Sequence, residues 1–259
     1  MGAVAGSVRT AGVGTLLLLV AGCSTSSTPG TTSQATSSVT GPAASALVSR
    51  SASDDPRSGD LRYVALGDSY TIGTSVGQAD RWPDRLVVAL GPAAPRLDLV
   101  ANLGVNGWTS EDVIQGELPA LARLDPDFVT LLIGVNDVVQ GVPEDRYRAN
   151  LSTIFDALLE RLPADRILVV TTPDYTVTPA GADYGEPVRQ RSAIASFNGV
   201  LSDVAHARGI AVVDIFDLSE RAASDRSLVA DDGLHPSGRQ YALWVERIAP
   251  AVRRLLGGG

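Results

Sequence analysis

From Leu61 onward, short apolar runs alternate with longer amphipathic stretches, and this alternation leaves the chain few folds to adopt. The runs are residues 62–66, 97–103, 127–134, 166–172 and 210–216, rich in Val, Ile and Leu. Several are apolar on successive residues rather than on every second one. A strand of that kind is covered on both faces, as in a parallel sheet. Helical patterns lie between them. Over 82–91, Pro83 stands where a first helical turn tolerates a missing N–H, and Gly91 where a helix stops. Residues 109–123 open with Thr109 or Ser110 as a cap and acids in the first turn, while Pro119 must kink or end that helix. Within 143–163, Tyr147, Leu151, Ile154, Leu158 and Leu162 recur at three- and four-residue steps. Further helices are expected over 186–209 and 237–256. Five strands alternating with helices predict an α/β domain of three layers around a doubly wound parallel sheet. Ligands of such sheets bind beyond the carboxyl ends of the strands.

Those ends carry reactive groups. Gly67-Asp68-Ser69 follows the first run, Gly104 to Gly107 ("GVNG") the second, and Gly134 to Asp137 ("GVND") the third. Asp231 to Gly238 ("DDGLHPSG") lies beyond the fifth, before the last helix. One hydroxyl, one glycine loop, one amide and one Asp-x-x-His are the parts of an acyl-transfer site. A serine hydroxyl attacks only when a base takes its proton, and imidazole is the side chain type suited to that near neutral pH, which makes His235 the candidate. A carboxylate must orient the imidazole. Asp232, three residues before His235, can do so within a turn; Asp231 is its neighbour and rival for that role. The Ser69 N–H, the Gly104 N–H and the Asn136 amide can hold an oxyanion. Taken alone, Ser69 is equally a cap for the next helix and Asn136 an Asx-turn residue. Other serine sites fit poorly. Thr71 stands where a nucleophile elbow needs glycine, both histidines lie downstream of Ser69, and a chain without lysine has no phosphate loop of the usual kind.

The four pieces together resemble the GDSL family, also called SGNH hydrolases. The resemblance rests on "GDSY" with Ser69, Gly104 in "NLGVNG", Asn136 in "GVND", and Asp232 with His235 in "DGLHP". It runs from Leu61 to about Leu256. It implies a five-stranded parallel, flavodoxin-like sheet and hydrolysis of esters or thioesters through an acyl-serine intermediate. Tyr70 stands where the family name has Leu, a position that varies.

Residues 1–22 have the form of a signal peptide, with Arg9 ahead of a short apolar core. Ala21 and Gly22 before Cys23 resemble the lipobox of bacterial lipoproteins, which implies cleavage there and a lipid on the Cys23 thiol. Residues 23–60, rich in Ser, Thr, Gly and Pro, are expected to be a disordered tether, with the folded domain over 61–256. The expected location is therefore outside the cytoplasm, lipid-anchored to the cell membrane. A net charge of −8 argues against nucleic acid as a partner. Cys23 is the sole cysteine, and His206 and His235 are the only histidines, so neither a disulfide nor a multi-histidine metal site is expected. No cofactor is required. The expected partner is a small ester or lipid substrate, beside the membrane itself.

Residues 173–187 form a long connection on the active edge, expected to be a lid or specificity wall with Tyr175 and Tyr184 as substrate contacts. Trp108 and Trp82 are either acyl-pocket residues or core. Asp68, Asp137, His206 and Asp214 are expected to serve structure. Two rivals remain at this stage. One is a non-catalytic envelope lipoprotein that binds a glycan or lipid in the same cleft; the other is a carbohydrate O-deacetylase.

Overall fold

A computed structural model describes residues 59–92 and 95–257. The expected signal peptide over 1–22, Cys23 and nearly all of the 23–60 tether lie outside the described residues. In chain order the main elements are β1 (Leu61–Gly67), α1 (Ser69–Ile72), α2 (Trp82–Leu90), β2 (Leu97–Asn102) and α3 (Ser110–Asp112). A π-helical turn (Val113–Glu117) leads into α4 (Leu118–Leu124), then β3 (Phe128–Leu132), α5 (Val135–Val139) and α6 (Glu144–Leu159). The chain closes with β4 (Ile167–Val170), α7 (Pro187–His206), β5 (Ala211–Val213), α8 (Phe216–Glu220) and α9 (Gly238–Gly257).

The five strands form one sheet in the order β2-β1-β3-β4-β5, every neighbouring pair parallel. This is the flavodoxin-like order that the family resemblance implies. Every residue of β3 and β4 is buried, and β1 exposes only Arg62. Cover on both faces is why these strands are apolar on successive residues. On one side α2 packs against α9; on the other α6 packs against α7. The apolar stripe of α6 is the predicted one: Tyr147, Leu151, Ile154 and Leu158 are buried. From β1 the chain goes to β2 on one side, then crosses back to β3 on the other. The carboxyl end of β1 is therefore the switch point, where a crevice opens between the loops after β1 and β3.

Two local expectations change. The fifth strand stops at Val213 rather than 216, because the Asp214 carboxylate accepts the Phe216 N–H at 2.9 Å and the Thr171 hydroxyl at 2.8 Å. That Asx turn starts α8 instead of extending the strand. The helix expected over 109–123 is continuous in course but widens to π geometry over Val113–Glu117, just before Pro119. The extra residue in the turn absorbs the hydrogen bond that proline cannot donate.

Candidate active site

Gly67 ends β1 with φ +145, and a Cβ there would lie 2.1 Å from the Leu132 carbonyl oxygen. Only glycine passes. Asp68 then caps α1, its Oδ1 accepting the Tyr70 N–H at 2.9 Å. The cap leaves Ser69 as the first helical residue, with its N–H donated to no group among the described residues. A cavity of about 230 Å³ opens over it. Ser69, Asn136 and His235 line that cavity together, beside Gly107, Tyr175 and Tyr184.

The Asp232–His235 pair is built within its own loop. Asp232 Oδ2 lies 2.6 Å from His235 Nδ1, and its Oδ1 accepts the Leu234 and His235 N–H groups at 2.9 Å each. Asp232, not Asp231, is thus the partner of the ring. Burial opposes ionisation of Asp232, but the hydrogen bonds from Ser75, Leu234 and His235 outweigh it and hold the carboxyl well below its usual range. The ring of His235 lies beside Tyr70, with centroids 5.3 Å apart. Its Nε2 is left without a hydrogen bond among the described residues and available to the cavity.

The oxyanion side departs from expectation at one residue. The Gly104 N–H points at Asn102 Oδ1, 3.2 Å away. A Cβ on Gly104 would lie 2.7 Å from the Asp68 carbonyl oxygen and 2.8 Å from the Ile72 nitrogen. Gly104 is therefore needed for close backbone packing behind the turn that carries Ser69, and it does not line the cavity. Gly107 does. It sits with φ +80 in a turn closed by the Trp108 N–H on the Val105 carbonyl, 3.3 Å, and its own N–H is donated to no group among the described residues. Asn136 Nδ2 donates one hydrogen to the Trp108 carbonyl at 2.9 Å, which fixes the amide and leaves the second hydrogen for a ligand. Trp108 itself is not a cavity residue. Its ring lies over Gly116, where a Cβ would meet it at 2.3 Å.

Buried acids brace this edge. Glu117, delivered by the π turn, accepts the Gly67 N–H at 3.0 Å through Oε2. Burial pushes Glu117 up to about 9 and Asp68 up to about 8, against the hydrogen bonds from the Gly67 and Tyr70 N–H groups. Asp68 Oδ2 has no partner among the described residues. Asp137, also raised by burial, takes the Ser110 N–H at 2.9 Å and its hydroxyl at 2.5 Å, tying the loop after β3 to α3. Sequence reasoning missed Glu117, because on a straight helix it reads as one more exposed acid.

The 173–187 connection is anchored at several points and brings Tyr175 and Tyr184 to the cavity. Asp174 is paired with Arg191 at 2.6 Å, and the Ala180 N–H donates to the Gly233 carbonyl at 2.9 Å. Tyr175 is buried with its hydroxyl unpartnered, and burial pushes it up to about 12. Tyr184 is exposed and meets Tyr175 edge to face, 5.9 Å between centroids. Trp82 is wholly buried, a core residue.

Residues 65–243 match the GDSL-like Lipase/Acylhydrolase family. The isoamyl acetate-hydrolyzing esterase 1 homolog of Mus musculus is 28% identical over 206 residues, covering 70% of this chain and 77% of that protein. Among solved structures, a member of the lipolytic G-D-S-L family from Veillonella parvula superposes with a TM-score of 0.60 at 17% identity, over 74% of this chain and 98% of that one. An acetylxylan esterase from Geobacillus stearothermophilus gives a TM-score of 0.57 at 20% identity, over 78% and 97%. At such identities the two structures speak to fold alone.

Proposed function

The chain belongs to the GDSL-like lipase/acylhydrolase family and is a hydrolase acting on esters; from that premise we propose that it works through an acyl-serine intermediate on short-chain esters outside the cytoplasm. His235 Nε2 takes the Ser69 proton as Oγ attacks the ester carbonyl, and Asp232 steadies the imidazolium through Nδ1. The oxyanion is held by the Ser69 N–H, the Asn136 amide and the Gly107 N–H, the last in place of Gly104. The imidazolium then protonates the departing alkoxide, and water, activated by the same ring, releases the acid. Neutral Asp68 and Glu117 suit this chemistry, since a carboxylate beneath the turn would repel the developing oxyanion.

The observation that carries the reading is the cavity that Ser69, Asn136 and His235 share, with Asp232 2.6 Å behind the ring. A space of about 230 Å³ walled by Tyr70, Tyr175 and Leu234 suits a short acyl chain. Sites for drug-sized ligands run to roughly 300–1,000 Å³. The name of the mouse relative, an acetate ester hydrolase, points the same way. The test is a panel of p-nitrophenyl esters from acetyl to palmitoyl, run beside Ser69→Ala. The expected result is highest kcat/KM at acetyl to butyryl, loss of about 10³-fold or more in Ser69→Ala, and fluorophosphonate labelling of wild type alone. Undiminished turnover by folded Ser69→Ala would refute the mechanism, and a palmitoyl preference would refute the substrate class.

A further inference from the structure

Ser75 has a backbone that its residue type seldom adopts. Its φ is +68, and apart from Asp125 at the end of α4 it is the one non-glycine residue with positive φ among those described. A side chain held in the left-handed region marks a place where the surroundings dictate the backbone. Ser75 follows directly on Thr74, and the two hydroxyls go to different loops. Thr74 Oγ1 donates to Asn106 Oδ1 at 2.6 Å, in the turn that carries Gly107. Ser75 Oγ donates to Asp232 Oδ2 at 2.6 Å, the same oxygen that faces His235 Nδ1. The Thr74 N–H donates to the carbonyl of Ser69 itself at 3.0 Å.

We propose that Thr74 and Ser75 are positioning residues, a two-hydroxyl clip that ties the oxyanion turn and the base loop to the segment bearing the nucleophile. The proposal rests on the reading of Asp232 and His235 given above. Its physical content is orientational. Without Ser75, Asp232 Oδ2 has the imidazole as its sole protein partner among the described residues. The carboxylate is then free to tilt about the hydrogen bonds at Oδ1, and the imidazole tilts with it. Without the Thr74 hydroxyl, Asn106 loses its tether and the adjacent Gly107 N–H loses its aim. The left-handed backbone at Ser75 is what lets neighbouring side chains diverge to two loops.

Ser75→Gly is the discriminating variant, because glycine keeps φ +68 without strain and removes the hydroxymethyl group that bonds Asp232. The expected result is a fall of about 5-fold in kcat, the scale of one hydrogen bond, with KM unchanged and Tm close to wild type, the relief of the positive φ offsetting the lost hydrogen bond. In an Asp232→Ala background, which keeps measurable turnover because an orienter contributes less than the base, Ser75→Gly is expected to cost nothing further. Thr74→Val is expected to lower kcat similarly and Thr74→Ser to restore it. Wild-type kcat in Ser75→Gly, or losses that multiply with Asp232→Ala, would overturn the clip. Failure of the underlying reading looks different, since Ser69→Ala would then stay active.

Discussion

At the scale of single residues, the site shows how little of a side chain's role lies in its identity. Ser69 and Asp68 are adjacent, yet one lines the cavity and the other is sealed beneath it. Glu117 is a glutamate whose burial disfavours the ionised form. In the folded state burial raises its carboxyl from the ordinary 4.5 to about 9. The stability it contributes is fully present below about pH 4.5 and is lost as pH rises towards about 9. Asp68, raised from 3.8 to about 8, acts in the same direction. Glu117→Gln keeps an oxygen for the Gly67 N–H and cannot ionise. The expected outcome is a Tm that gains on wild type steadily from pH 5 to pH 9, measured by thermal melts; a constant difference would refute the buried-acid account. Gly104 was legible as a glycine of consequence, but not which consequence. Two glycines, 104 and 107, stand in one short loop, and only the path of the turn tells which N–H faces the cavity.

At the scale of elements, hydrophobic periodicity carried most of the information. The α6 stripe was readable because three- and four-residue steps have one physical meaning on a helix. Leu151 in that stripe has 0% exposure, so Leu151→Ala is expected to cost about 2–5 kcal/mol of stability in urea unfolding while leaving kcat/KM of the folded enzyme near wild type. A cost below about 1 kcal/mol would mean that the helix face is less tightly packed than described. Element ends were less legible. β5 stopped early because Asp214 found one partner in Phe216, two residues on, and another in Thr171 just past β4, a contact between residues distant in sequence. The π turn follows from Pro119 only in part; that it points Glu117 at the end of β1 needs the packing of that helix against the sheet.

At the scale of the whole molecule, we propose that the lipid anchor expected at Cys23 acts apart from the hydrolase domain. Cys23 sits in a lipobox-like context and far from the domain in sequence. Cys23→Ser is expected to abolish incorporation of a labelled fatty acid and release the protein from the membrane fraction of its host, with esterase activity intact. Labelling that persists in Cys23→Ser would refute the anchor. The sequence by itself determined the class of fold and singled out Ser69, His235 and Asp232 as candidates for nucleophile, base and orienter, because each stands at a strand end or within one short loop, where local pattern sets position. Tertiary structure alone decided that Gly107 rather than Gly104 lines the cavity, that Trp108 packs away from it, that Glu117 is buried, and that Thr74 and Ser75 reach two other loops. Those outcomes depend on contacts between segments far apart in the chain, and such contacts leave no period or spacing in the sequence.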